Sequence, residues 1–138
     1  MSDDTQWTLS SEDNLFGLTD AASINEEETR GLSLAEVQVY GLDVKDQITI
    51  SLVLALHYTA FGRLYDWAGK WRTVNVIVGS LQPPEPHRIS QLMYQFLDNL
   101  KFKLSVAKNS DEHLECLLFA HHEFIRIHPF TNGNGRTG

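Results

Sequence analysis

Only one stretch of this chain, Arg72 to Val78, has the β-branched run of a strand, and the segment that would pair with it holds three of the four prolines. Proline cannot donate to a ladder, so the partner near Leu81–His87 is expected to be irregular or an edge. The β structure is therefore predicted to be one small hairpin flap, turning at Gly79-Ser80, and the rest of the chain must fold as helices. Ile48, Leu52, Ala55, Leu56 and Thr59 recur at spacings of three and four, which predicts a helix capped by Asp43 or Asp46 and ended by Gly62. The same rhythm in Leu92, Met93, Phe96, Leu97 and Leu100 predicts a helix over residues 89–104. A last helix should open at Asn109 or Ser110, with Glu112 closing a capping box, and carry Leu114, Leu117, Leu118, His121, Phe124, Ile125 and His128 on its inner face. Pro129 stops it. A weaker pattern with Leu34, Val37 and Val39 suggests a further helix over 31–40. The expected fold class is mainly α.

Charge divides the chain unevenly. Residues 1–30 carry eight acids against Arg30 alone, whereas the remainder balances ten acids with ten bases. Residues 1–30 thus read as an acidic, partly flexible N-terminal arm of loop and one short helix, and 31–138 as the single folded domain that 138 residues at 42% hydrophobic content can support. No basic stripe is present to neutralise phosphates, so nucleic-acid binding is not expected. Neither a long uncharged apolar run nor a basic leader is found, so no membrane association is expected. The lone Cys116 cannot form an internal disulfide and sits among apolar residues, which fits a buried thiol in a reducing, cytoplasmic setting.

The chemistry is concentrated at the end: His128-Pro129-Phe130-Thr131-Asn132-Gly133-Asn134-Gly135-Arg136. Gly133 and Gly135 let a backbone turn tightly and approach a ligand. A helix starting there would offer free N–H groups to an anion, and Arg136 would add a fork of donors for phosphate oxygens. His128 lies a few residues upstream, placed to accept a proton. Base, anion cradle and arginine suit phosphoryl or nucleotidyl transfer, although a glycine loop beside a histidine is also what a plain turn looks like. A P-loop is excluded, because the lysine and Ser/Thr after the second glycine are missing.

The stretch resembles the Fic (Fic/Doc) signature His-Pro-Phe-x-(Asp/Glu)-Gly-Asn-Gly-Arg-x-x-Arg, in unbroken register from His128 to Arg136 except at Asn132. Upstream, His57 to Phe61 and Tyr65-Asp66-Trp67-Ala68-Gly69-Lys70-Trp71-Arg72 are similar to the family's helix end and Trp-Ala-Gly turn into its flap. Within the family the chain looks closest to the mobile mystery protein B subgroup. The resemblance spans Leu42 to Gly138 and implies a Fic-type helical bundle. It also implies a domain that ends before the helix following the catalytic loop, one residue short of the second arginine.

The resemblance further implies a protein adenylyltransferase that moves AMP from ATP, with magnesium on the phosphates, to an exposed Ser, Thr or Tyr hydroxyl of a protein substrate. His128 would be the general base. Gly133, Asn134, Gly135 and Arg136 would hold the phosphates, and Phe130 would anchor the loop. Thr73, Val74, Asn75, Val76, Ile77 and Val78 would dock the target by strand-like pairing. Asn132 stands where the family has an acidic magnesium ligand, and a neutral amide makes a weak one. Asn132 and the early end keep two alternatives open: a Doc-like phosphotransferase, and a target-binding module or inactive remnant. The glycine pair favours AMP transfer, since the Doc branch lacks it. Antitoxin and inhibitory-helix partners belong to the family, and Ser23 to Glu27 has the inhibitory spacing, although Glu28 follows where Gly or Asn is usual.

His122-Glu123 invites a zinc reading, but Arg126 occupies the position where the second histidine of His-Glu-x-x-His is needed. His121 is expected as a buried helix histidine with a hydrogen-bond partner, His57 as a tie to the Trp67 turn, and Trp67 and Trp71 as core.

Overall fold

The computed structural model describes residues 14–42 and 47–134. Among them are four α-helices: α1 Ala21–Tyr40, α2 Ile50–Phe61, α3 Ile89–Val106 and α4 Ser110–Ile127, with a 3-10 turn at Pro86–Arg88 leading into α3. α1 packs on α2, α3 on α4, and α2 touches α3. No described helix is long and apolar enough to cross a membrane.

α1 is longer than the sequence suggests and begins inside the acidic arm. Asp20 caps it by accepting the Ser23 N–H at 2.9 Å, and the helix runs without interruption through Gly31. The boundary expected at residue 30 therefore falls within a helix. A mid-helix glycine costs about 1 kcal/mol against alanine, and the crossing with α2 explains why it is here. A Cβ on Gly31 would run into the Ala60 carbonyl, so only glycine lets the two backbones approach this closely. Part of the acidic run is structural rather than solvated. Glu28 is buried and accepts the Tyr65 hydroxyl at 2.7 Å.

α2 starts later than expected, because Thr49 is its cap, accepting the Leu52 N–H at 3.1 Å. The proposed caps Asp43 and Asp46 lie outside the described residues. α3 has the predicted face, with Ile89, Met93, Phe96, Leu97 and Leu100 buried. Each such side chain contributes roughly 1.5–3 kcal/mol of hydrophobic stabilisation. α4 opens at the expected cap, with Asn109 Oδ1 accepting the Glu112 N–H at 2.9 Å, but Glu112 reaches past the cap and accepts the Lys108 N–H at 2.8 Å, not that of Asn109.

The expected inner face of α4 is only partly right. Cys116, Phe124 and Ile127 are buried, but Leu114, Leu117 and Leu118 are 54%, 65% and 62% exposed, and His121 is exposed as well. The helix carries apolar residues on two sides, and α3 covers only the side of Cys116, Phe119 and Phe124.

The hairpin reduces to a single antiparallel bridge, in which Val78 and Leu81 exchange both N–H···O bonds at 2.9 Å across Gly79-Ser80. Further pairing is pre-empted. The carbonyls of Val74 and Pro84, which would lie along the ladder, are both taken by the Arg72 guanidinium at 2.8 and 2.6 Å. Pro83, Pro84 and Pro86 have no N–H to offer.

Candidate functional site

α4 hands over to the motif loop at His128, its C-cap, with φ 51° and ψ 62°. This is the one non-glycine residue with positive φ among the described residues. Two local preferences oppose it, since the left-handed region is costly for a Cβ and a residue before proline is pushed toward extended backbone. Three hydrogen bonds from one residue hold the strained corner. Arg72 Nη2 donates to Ile127 O at 3.2 Å, Arg72 Nε to His128 O at 2.6 Å, and the Arg72 main-chain N–H to Pro129 O at 2.8 Å. His128 itself is 5% exposed.

The loop then closes on itself. Asn134 Oδ1 accepts the Phe130 N–H at 2.7 Å while its amide nitrogen donates to Phe130 O at 2.8 Å, so one side chain imitates a strand pair across four residues. Phe130, fully buried, stacks on the His57 ring at 3.6 Å and 2° and joins the core cluster of α3 and α4, the anchoring expected of it. His57 does more than tie α2 to the turn. Its Nδ1 accepts the Gly69 N–H at 2.9 Å and its Nε2 lies 2.8 Å from Asn132 O. Because Nδ1 accepts, Nε2 carries the proton, and a neutral imidazole bridges the Trp-Ala-Gly turn to the motif. Gly133 has φ +78°, and a Cβ there would strike the Phe61 ring.

These contacts redistribute the expected roles. The Asn134 side chain is spent inside the loop, leaving only its main chain for a ligand. The Gly133 N–H, expected to face phosphate, donates to Asn132 Oδ1 at 2.6 Å. Asn132 is fully buried, and its amide nitrogen meets no partner among the described residues. Its one candidate metal-binding oxygen is thus neutral, covered and already accepting a hydrogen bond. No group of three His, Cys, Asp or Glu side chains among the described residues could hold a metal. The described residues do not form a magnesium site. Backbone enters helical geometry at Asn134, and Gly135 and Arg136 lie outside the described residues.

Along the flap, Thr73, Val74, Asn75 and Ile77 are exposed, and Val76 and Val78 half-buried. Thr73, Val74 and Asn75 line one side of a shallow depression whose other side is Glu85, Pro86 and His87. Trp67, stacked on Tyr65 at 4.5 Å, and Trp71 both pack against core clusters while remaining half-exposed. Glu27 pairs with Arg63 at 3.1 Å and Arg30 at 3.6 Å.

Arg72 is the residue whose role sequence reasoning missed, having read it as the start of a β stretch and the end of the Trp-Ala-Gly segment. Burial pushes its guanidinium down from its ordinary value, yet an arginine stays protonated in proteins. A helix stopped by proline leaves carbonyls that want a cation, but nothing in the sequence pairs those carbonyls with residue 72.

The Fic/DOC family model matches residues 47–138. Among curated proteins, the chain is 36% identical over 121 residues to Protein adenylyltransferase Fic of Drosophila willistoni, a match covering 86% of this chain and 24% of that protein. It is 33% identical over 93 residues to Protein adenylyltransferase Fic of Nematostella vectensis, covering 67% and 21%. The chain therefore spans about a quarter of the length of the curated relatives it matches. Among solved structures, Fic-1 of C. elegans (residues 134–508) superposes with a TM-score of 0.67 at 26% identity, over 80% of this chain and 33% of that one. BepC of Bartonella tribocorum, solved with bound AMPPNP, superposes at 0.74 and 18% identity, over 90% and 67%, and shares the fold. The chain belongs to the Fic/DOC family.

Proposed function

We propose that this chain carries the transfer centre of a protein adenylyltransferase, moving AMP from magnesium-ATP to a Ser, Thr or Tyr hydroxyl of a protein. The observation that carries this reading is the fixed corner at His128, where a potential base is locked one turn from a glycine loop. Its similarity to named adenylyltransferases supports the choice of AMP. In this reaction the target oxygen attacks the α-phosphorus, and the bond from that phosphorus to the β-bridging oxygen breaks. Pyrophosphate leaves, and the hydroxyl proton passes to His128. Asn134 contributes its main chain to the phosphate cradle, Gly133 does so once a phosphate oxygen displaces Asn132 Oδ1 from its N–H, and Gly135 and Arg136 follow. Thr73 to Val78 dock the target's extended backbone along a segment whose Thr73, Val74, Asn75 and Ile77 are exposed and which is in no strand ladder before Val78. Magnesium arrives as part of the substrate, and no step is assigned to it on the protein.

One observation favours a second reading, a target-binding module without chemistry. Asn132 Oδ1 sits on the Gly133 N–H that a phosphate oxygen would take. Incubating the full-length protein with candidate targets and ATP labelled at the α- or the γ-phosphate decides. Label moving from the α position establishes AMP transfer, label from the γ position a Doc-like phosphotransferase, and neither establishes the module.

A further inference from the structure

We propose that Arg72 is a positioning residue that fixes the target-docking flap and the catalytic histidine in one relation, acting through the main-chain carbonyls on either side of it. This rests on the reading of His128 as base and of the flap as docking edge. The side chain is 2% exposed. One side of its planar fork reaches the end of α4, through Nε to His128 O and Nη2 to Ile127 O. The other reaches both limbs of the flap, through Nη1 to Val74 O and Nη2 to Pro84 O. Its own N–H takes Pro129 O. Five bonds from one residue thus span the corner at His128 and the base of the flap.

A structural filler would not be built this way. A cation in the interior is costly unless paired, and among the described residues no carboxylate bonds to Arg72. Its compensation is the negative end of α4, whose last carbonyls lack helix partners. An apolar side chain of the same volume would avoid the desolvation but could not grip four carbonyls in two directions. Lysine keeps the charge, but as a point donor it cannot span the fork. Because His128 is held in the left-handed region by these bonds, loosening them lets the corner relax toward extended backbone and swings the imidazole away. The same loosening frees Val74 and Pro84, so the flap moves with it.

The test is Arg72→Lys in the full-length protein. With the target varied, kcat for AMP transfer should fall roughly a hundredfold, as expected for a misplaced reacting group, and KM for the protein target should rise while KM for ATP stays put. A variant that merely has less folded protein would lose kcat without moving the target KM, and that result, or unchanged kinetics, overturns the proposal. Hydrogen exchange supplies a readout independent of activity. The amides of Val78 and Leu81 in the flap and of His128 and Phe130 in the motif should all exchange faster in the variant, with those of α3 unchanged. Faster exchange in both places with no AMP transfer in the parent protein would sink the proposed reaction and leave the positioning role standing. Flap and motif responding separately would remove the positioning role whatever the activity. Should Arg72→Lys fail to fold, exchange in the parent under rising denaturant replaces it. Flap and motif amides are expected to merge on one opening event below that of α3, and two separate events would refute the coupling.

Discussion

The roles proposed for His128 and Asn134 in the motif loop can be tested singly. His128→Ala should lower α-label transfer about 10²- to 10⁴-fold, the usual contribution of a general base, while circular dichroism stays that of the parent; full activity would end the proposed mechanism. Asn134→Ala strands a buried N–H and a buried carbonyl of Phe130, at a cost on the order of 3 kcal/mol that urea unfolding would register. Asn134→Asp keeps the acceptor for the Phe130 N–H but sets a buried carboxylate oxygen against Phe130 O, so it should cost at least as much. The motif was legible as chemistry through its resemblance to the Fic signature, since the residue types alone also describe a plain turn. The division of labour within it was not, because an asparagine that binds a ligand and one that binds its own loop look identical in a sequence. Arg72 was hidden for the same reason: all its partners are main-chain carbonyls, which carry no side-chain signature.

Among the elements, the start and buried face of α3 and the cap of α4 were legible, since periodicity and a capping asparagine act locally, although α3 runs two residues past the expected end. α1 was not. Its acidic first half lacks apolar rhythm, and what holds it is contact with α2 and Tyr65. Gly31→Ala tests that cause. Helix propensity alone predicts stabilisation by about 1 kcal/mol, whereas the clash with the Ala60 carbonyl predicts a net loss of about 1–3 kcal/mol. A higher melting temperature would show that the crossing can relax. On α4, Glu123 is held below its ordinary carboxyl value by hydrogen bonds from Arg126. Its folded-state value lies below the unfolded one, so its contribution is present above the unfolded value of 4.5 and is lost as pH falls through the lowered one. Glu123→Gln should flatten that part of the acid limb in thermal melts from pH 5 down to about 3.

At the scale of the whole molecule, two apolar clusters meet at the motif, one between α3 and α4 and one around Phe61, Leu64 and Tyr65. His57 stands between them, stacked on Phe130 and 5.1 Å from Phe61. His57→Phe keeps an aromatic ring, somewhat larger than imidazole, but orphans the Gly69 N–H and Asn132 O. Global stability should therefore drop by roughly 2–5 kcal/mol, as two buried polar groups losing partners would produce, measured as a shift in the urea midpoint. A change within 0.5 kcal/mol, about the scatter of surface substitutions, would show that the bridge is dispensable. The mainly helical architecture was legible from periodicity, but the near-absence of a hairpin was not. A side chain reaching across from residue 72 took the carbonyls that pairing needed, and no local pattern announces such a reach.

That grip ignores side-chain identity at every position it touches. Val74, Pro84, Ile127, His128 and Pro129 are recognised only by their carbonyl or backbone geometry, so Val74, Asn75 and Ile77 can be rewritten without disturbing the frame. A protein engineer seeking new targets for this scaffold would vary the outward-facing flap residues and leave Arg72 alone, because here recognition and alignment are encoded by different atoms.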